Sequence, residues 1–477
     1  MRNALLPVLA LVMSALGAAC SLAPADVRPP PPTEATYPQA YSGDPTRGAK
    51  AATLGWRDFF ADPRLAELIQ RALDNNRDLD VAIAQIEEAR GLYRVQRADR
   101  LPTVAVGADA SRTRASPGSF TQPTTLPPGT TAITFEQYLL SASIPSFELD
   151  FWGRVRNLSN AARAEYLATV AAARAFQLSL IRDVANTYLA SLEARERLAL
   201  AEATVRSRRD GLRIAKRRLD AGVTSALDYR QAETLLTQAE TELAALKLTL
   251  AQSDNLLASL VGAPIDHDLP EPMPLADQGR GEALAAGVPS ELLTTRPDII
   301  AAEDRLSAAR ANIGAARAAF FPSITLTGSY GYASNALDQL VGDSGLTWSY
   351  GPSISLPLFD FGRRRANLDV ARAREVQAVA DYERTIQQSF REVADALAGR
   401  QFLAEQVQAQ ERATDAQRHL AELARTRYRE GVVSYLEVLD AERNLFAAEQ
   451  ALLQVRRAEV SNLVALYVAL GGGALER

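Results

Sequence analysis

Two kinds of hydrophobic pattern alternate along this chain. The longer kind repeats apolar residues at intervals of three and four. Ile181, Val184, Tyr188 and Leu192 form one such stripe, the buried face of an amphipathic helix. Proline is absent from Gly153 to Val261 and from Asp360 to the C-terminus, so nothing interrupts helix there. The pattern predicts long helices over about 154–220 and 363–429, Gly-Val turns at Gly222-Val223 and Gly431-Val432, and return helices over about 226–260 and 435–469. A helix over 154–220 would reach about 100 Å at about 1.5 Å per residue. That exceeds any compact domain and predicts a coiled-coil-like tube or stalk. Ala171, Ala172, Ala173 and Ala175 let neighbouring helices approach closely. Shorter helical segments are expected at about 62–99 and 290–318.

The second kind of pattern has a period of two. Ile324, Leu326, Tyr330 and Tyr332 alternate with Thr325, Thr327, Ser329 and Gly331. Trp348, Tyr350, Ile354 and Leu356 alternate with Thr347, Ser349, Gly351, Ser353 and Ser355. Weaker versions run through 103–113 and 135–147. Strands of about 10 residues, apolar on one face and polar on the other, are the transmembrane β-barrel pattern, and Tyr330, Tyr332, Trp348 and Tyr350 suit an interfacial girdle. One such strand alone reads better as part of a half-buried soluble sheet. Counting adds a constraint. Four strands cannot close, open edges are not tolerated in lipid, and closure takes about 8. A membrane barrel here has to be shared between chains.

The two kinds of element recur in the same order because the chain is duplicated. Asp78–Pro102 aligns without gaps on Asp298–Pro322, and Ala221–Asp228 aligns on Glu430–Glu437. The excess length of the first copy falls around Ala115–Thr134, rich in Pro, Thr and Gly, an exposed loop. The organisation is a first repeat over 20–261, a linker over 262–289 carrying Pro264, Pro270, Pro272 and Pro274, and a second repeat over 290–477.

Composition narrows the class. Of 477 residues, 52 are Lys or Arg and 57 Asp or Glu, a net charge of −5, which argues against a nucleic-acid partner. Aromatics are only 6%, as expected of thin Ala-rich helical walls. The single cysteine excludes intrachain disulfides and Cys-cluster metal sites, and with only His267 and His419 a histidine-based centre is not expected. No HExxH, GxSxG or P-loop pattern appears, so neither catalysis nor a cofactor is assigned. Met1-Arg2-Asn3 followed by the apolar run Ala4–Ala19 reads as a signal peptide over 1–19, too short to span a membrane. Cys20 sits at the cleavage point, after Leu16-Gly17-Ala18-Ala19. This placement resembles a bacterial lipoprotein signal, which implies that Cys20 becomes the lipid-modified first residue; that family's inner-membrane retention signal is an Asp at the next place, so Ser21 favours the outer membrane.

On these features the chain resembles the outer-membrane factor family, the TolC-like export channels, and within it the OprM/NodT-type efflux lipoproteins. The motifs that carry the resemblance include Gly55-Trp56-Arg57-Asp58-Phe59-Phe60, Arg296-Pro297-Asp298-Ile299, Ile313–Pro322 and Ala469-Leu470-Gly471-Gly472-Gly473. The resemblance implies a mainly α fold with a small β part, built as a homotrimer. A twelve-stranded outer-membrane barrel would continue into a periplasmic α-helical barrel. It implies a periplasmic membrane-fusion adaptor and a proton-driven, RND-type inner-membrane pump as partners, with outer-membrane lipid around the barrel. It also carries over an iris-like gate at the hairpin tips. Asp440 corresponds to an acidic ring residue, Glu437 to a place acidic in some members, and Leu436 to an apolar constriction. Tyr428 and Gly431 correspond to positions that hold neighbouring coiled coils together. Gly222, Val223, Gly431 and Val432 would meet the adaptor, and Val433 stands where some members have a locking Arg. Two other readings stay open at this stage: a channel for type I protein secretion, and a coiled-coil stalk that conducts nothing.

Overall fold

A computed structural model describes residues 22–25, 27–38, 48–116, 131–265, 268–279, 284–342 and 344–473. The elements run in the predicted order. Helices α1 (Pro63–Asn75) and α2 (Arg77–Ala98) lead into strands β1 (Ala105–Ala115) and β2 (Ile133–Glu148). Then come the 67-residue α3 (Arg154–Asp220) and the return helix α4 (Ala226–Val261). The second copy repeats this as α5 (Pro289–Thr295), α6 (Pro297–Ala318), β3 (Ser323–Ser334), β4 (Leu346–Ser355), the 67-residue α7 (Arg363–Arg429) and α8 (Tyr435–Ala469).

Each short helical segment is split in two, which the hydrophobic pattern does not reveal. The breaks fall at Asn76 and Arg296, the same position in the two copies. Asn76 is extended. Its side-chain oxygen accepts from the Leu79 amide at 2.9 Å, capping α2, and its Nδ2 donates to the Leu260 carbonyl at 2.8 Å. Arg296 precedes Pro297, which disfavours helical backbone before it. The return helices end on these breaks. Gly262 (φ 72°) packs on Asn75-Asn76, and Gly471 (φ 77°) lies against the Thr295 carbonyl, where an added Cβ would sit 3.2 Å away. A larger residue would meet backbone at both places.

The chain divides into two compact units, and neither is one of the repeats. One unit takes residues up to Pro29, Glu87–Leu167 and Asp304–Ala380. The other takes Pro30–Ile86, Ala168–Glu303 and Asp381 to the C-terminus. Each therefore draws on both copies.

The first unit holds one antiparallel sheet of order β1-β2-β3-β4. The register carries the same alternation across all four strands. Val106, Ala142, Tyr330 and Trp348 are successive partners, and so are Ala108, Leu140, Tyr332 and Leu346. The other face carries Ser143, Ser329 and Ser349, with Gly107, Ser141, Gly331 and Thr347. Gly331 is required there, since an added Cβ would lie 2.5 Å from the Ser141 Cα. The Ser329 and Ser349 hydroxyls are 2.8 Å apart. The apolar face ends toward the β1–β2 connection at Arg112 and Glu136, paired at 3.3 Å. All four helix connections lie at the opposite end of the sheet.

The second unit holds the main core. Leu65, Leu68, Ile69, Val184, Leu189, Tyr382, Val393, Leu397, Leu466 and Tyr467 are buried in it, and the predicted stripe Ile181, Val184, Tyr188 and Leu192 faces it throughout. The side chain of Asp62 caps α1 and accepts from the Tyr188 hydroxyl at 2.7 Å, so a buried carboxylate is fully used. Phe59 stacks on Tyr467 at 4.2 Å, tying the first copy's start to the second copy's end. Among the described residues no helix is long and apolar enough to cross a membrane.

Candidate functional site

The two hairpin tips lie in the second unit and share one backbone solution. At the first, the Val223 amide bonds the Arg218 carbonyl and the Gly222 amide bonds the Leu219 carbonyl, both at 2.9 Å. At the second, Val432 bonds Arg427 at 2.9 Å and Gly431 bonds Tyr428 at 3.0 Å. This paired closure ends a helix with one left-handed residue, and Gly222 (φ 69°) and Gly431 (φ 75°) supply it. Val223 and Val432 project into solvent at the tips, 63% and 66% exposed.

The side chains then break the symmetry. In the first tip, Asp228 and Ser225 form a capping box. Asp228 accepts from the Ser225 amide at 3.2 Å and from Thr224, and these bonds hold its carboxyl below the usual aspartate range, the Thr224 hydroxyl contributing most. In the second tip the equivalent acid, Glu437, turns away from its cap and pairs with Arg427 at 2.8 Å across the turn. The equivalent of Arg427 in the first copy is Arg218. It bridges the hairpins instead, donating to the Tyr428 hydroxyl and lying 5.5 Å from that ring's centroid. Tyr428 packs on Tyr435 at 5.1 Å. Burial, and secondarily the charge of Glu442 and the neighbouring Tyr428, push the Tyr435 phenol up to about 12.

The carried-over residues fall close together. Leu436 is 43% exposed beside Glu437, and Asp440 lies one turn further on, half-exposed and paired with Arg443 at 3.1 Å. Asp440 thus has a cation of its own chain beside it. Behind these, Val438 and Leu439 are buried, and Arg425 pairs with Glu442 at 2.9 Å. Arg218, Gly211 and Tyr435 are not among the residues that the sequence marks; the Tyr435 hydroxyl fills the space over Gly211. A further link between hairpins, Arg208, is buried, donates to the Leu235 carbonyl at 2.7 Å and lies 5.8 Å from the Phe446 ring. Only the packing of α3 against α7 and α8 identifies these residues. His419 is exposed on α7, as expected, while His267 and Cys20 lie outside the described residues.

In the sheet, Tyr330, Trp348 and Tyr350 are strongly exposed on the apolar face and Tyr332 half-buried; the Trp348 and Tyr350 rings stack at 5.8 Å. They lie in the half of the sheet nearer the strand connections. A second aromatic group, not singled out from sequence, lies where strands become helices. Trp152 stacks on Phe321 at 4.7 Å and donates to the Pro322 carbonyl at 2.8 Å. Phe151, Phe359 and Phe361 are exposed, the last at φ 53°. The recurrence of Asp-Phe-Trp-Gly-Arg at 150–154 and Asp-Phe-Gly-Arg at 360–363 is the signal that marks them. Both aspartates accept helix-start amides: Asp150 from Arg156 at 2.7 Å, Asp360 from Arg364 at 3.2 Å.

The family model for outer membrane efflux proteins matches residues 68–263 and 288–472. The chain belongs to the outer membrane efflux protein family. It is similar to the solvent efflux pump outer membrane protein SrpC of Pseudomonas putida, 44% identical over 471 residues covering 98% of each. It is likewise similar to the outer membrane protein OprJ of Pseudomonas aeruginosa, 40% identical over 476 residues covering 99% of this chain and 97% of that one. Among solved structures, the open state of the MtrE outer membrane channel of Neisseria gonorrhoeae superposes with a TM-score of 0.86 at 38% identity, covering 95% of this chain and 99% of MtrE. As an outer membrane efflux protein, the chain is the outer-membrane channel component of an efflux pump, with the TolC-like fold. The stalk that conducts nothing is thereby set aside.

Proposed function

We propose that three copies of this chain form a passive exit duct whose only moving part is the ring of hairpin tips. The observation that carries this is the open sheet: β1 and β4 are edge strands, and four strands bearing one continuous apolar face cannot stand alone in lipid. Three chains supply twelve strands, β4 of each pairing with β1 of the next. The two aromatic groups then fall near the two edges of the apolar band. Because all strand–helix connections leave one end of the sheet, the helices of all copies continue on one side, the periplasm.

In this assembly the tips converge. Each inward carboxylate becomes a ring of three, which attracts cations and repels itself when desolvated. Leu436 narrows the aperture, and Asp440 with its Arg443 lines it. Tyr428, held by Arg218, keeps the second hairpin against the first, and Glu437, held by Arg427, braces the turn of the second hairpin itself. Opening requires the α7–α8 hairpin to rotate out of these contacts. The exposed Val223 and Val432 turns are where a periplasmic membrane-fusion adaptor engages and biases that rotation. A proton-driven inner-membrane pump supplies the energy. Relatives from Pseudomonas putida named for the efflux of solvents and of antibiotics support both as cargo. Cys20 carries the lipid that anchors the mature chain.

The test is deletion and complementation. Loss of the gene sensitises cells to several unrelated toxic compounds and solvents, and the intact gene restores resistance. Unchanged sensitivity in cells expressing the cognate pump would remove the assignment. Purified protein in a planar bilayer gives small, cation-favouring steps when closed.

A further inference from the structure

The N-terminal segment is bound to the protein at one specific place. The Leu22 carbonyl accepts a hydrogen bond from the Arg317 guanidinium at 2.9 Å. Ala23 lies directly over Gly314. A Cβ built there would fall 2.8 Å from the Ala23 nitrogen, 2.9 Å from its Cα and 2.6 Å from Asn157 Nδ2. No side chain fits between α6 and this segment: the Asn157 amide could turn away, but the two Ala23 neighbours are backbone, which cannot swing aside. Gly314 sits in mid-helix at ordinary helical φ, so turn geometry does not require a glycine, and an interior glycine costs about 1 kcal/mol against alanine. The close passage of the N-terminal backbone is the reason for it.

The duplication sharpens the point. The first-copy equivalent of Gly314 is Arg94, while Arg317 corresponds to Arg97. Among the described residues the first copy therefore lacks this cleft. It also stands at a definite level. Arg317 is the penultimate residue of α6, four residues before Phe321 of the Trp152–Phe321 stack and six before the start of β3. Leu22 is two residues from Cys20, a reach of at most about 7 Å.

We propose that Gly314, Arg317 and Asn157 form a seat for the Leu22–Ala23 backbone, and that this seat sets the depth at which the acyl chains on Cys20 enter the membrane. The lipid then inserts at the level of the strand–helix junction, in register with the barrel, instead of on a loose tether. The depth part rests on the reading of Cys20 as the lipid site; the seat itself does not.

Spin labelling of the full-length protein in outer membranes tests both. Ala25→Cys introduces a thiol in the exposed stretch just after the seat. A chain without this substitution takes up no label if Cys20 is acylated, so uptake there reports failure of the lipid reading alone. The Ala25→Cys label is expected to show a slow spectrum and one depth, read from broadening by oxygen against a water-soluble nickel chelate. Gly314→Arg, which copies the first repeat, should abolish the slow component and spread the depth. Arg317→Met, which leaves the helix intact and removes only the hydrogen bond to Leu22, should do so partially and carries the test if Gly314→Arg does not fold. A freely mobile label in the parent protein, or a slow component untouched in Arg317→Met and in folded Gly314→Arg, overturns the seat. A label that is immobile at no single depth overturns its role in positioning the lipid.

Discussion

Gly211 on α3 leaves open the space that the hydroxyl of Tyr435 on α8 occupies. One hairpin of the chain is shaped to receive a side chain of the other, and the fit is made by an absence of atoms. An interior glycine weakens a long helix by about 1 kcal/mol relative to alanine, so its place opposite a partly buried phenol indicates that packing decides the residue. Gly211→Leu pushes Tyr435 out and separates the tips. We expect larger resting conductance steps and greater entry of large antibiotics from outside, measured in bilayers and by growth inhibition. A fully closed Gly211→Leu channel would show that this contact does not hold the gate.

The same phenol predicts a pH dependence. Its ionisation is raised from about 10 to about 12, first by burial and then by Glu442 and Tyr428. The fold therefore favours the neutral form. This contribution is intact below pH about 10 and is lost as pH climbs from there to about 12. The tyrosinate absorbance of the parent protein minus that of Tyr435→Phe should show one group titrating late, with tip loosening over the same range.

Asp440 differs from an isolated ring acid because Arg443 lies beside it. Asp440→Ala removes three negative charges from the proposed aperture and leaves three guanidinium groups. The cation-to-anion permeability ratio should fall by about tenfold, since a unit charge close to a permeating ion is worth about 1 kcal/mol even in water. Reversal potentials in asymmetric salt measure this. An unchanged ratio would place Asp440 outside the lumen.

Nothing lies within contact distance of an added Cβ at Gly431. Gly431→Ala therefore isolates the conformational term, the penalty for a side chain at φ 75°, about 1 kcal/mol. Amide exchange around Val432 should quicken by about fivefold, with no change in the core of the second unit. The matching substitution Gly222→Ala should behave alike.

Arg296 offers a test away from the tips. It is buried, bonds Asp298 at 2.6 Å, Glu392 at 2.9 Å and the Ala469 carbonyl at 3.0 Å, and joins the helix break to the end of α8. Arg296→Met leaves two carboxylates and a carbonyl without their cation. A loss of about 3 kcal/mol is expected, visible as a lower thermal midpoint.

The long helices were legible because their signals are local and cumulative: a stripe sustained over many turns, no proline, and glycine at each end. The strands were legible because alternation has only one register that keeps Trp348 and Tyr330 on the same face. The break at Asn76 was not, since a cap residue inside a continuous apolar stripe looks like any polar helical residue; the break at Arg296 has a local mark in Pro297, but the hydrophobic pattern runs across it. The tip acids were named from resemblance, but their partners were not. Glu437 and Asp228 occupy equivalent positions and make different bonds because the equivalent arginines go to different places: Arg427 pairs with Glu437, while Arg218 crosses to Tyr428.

The amino-acid sequence by itself determined the duplication, the order and length of the elements, the polarity of the strand faces and the glycine turns. All of these follow from short-range sterics and periodic burial, which a linear pattern records. Only the tertiary structure decided that the compact units cut across the repeats, that β2 pairs with β3 to make one sheet from two copies, that Arg218 crosses to Tyr428, and that Gly211 and Gly314 are clefts for other parts of the chain. These depend on residues far apart in sequence sharing a few ångströms of space. A glycine that makes room carries no mark in the sequence of what the room is for.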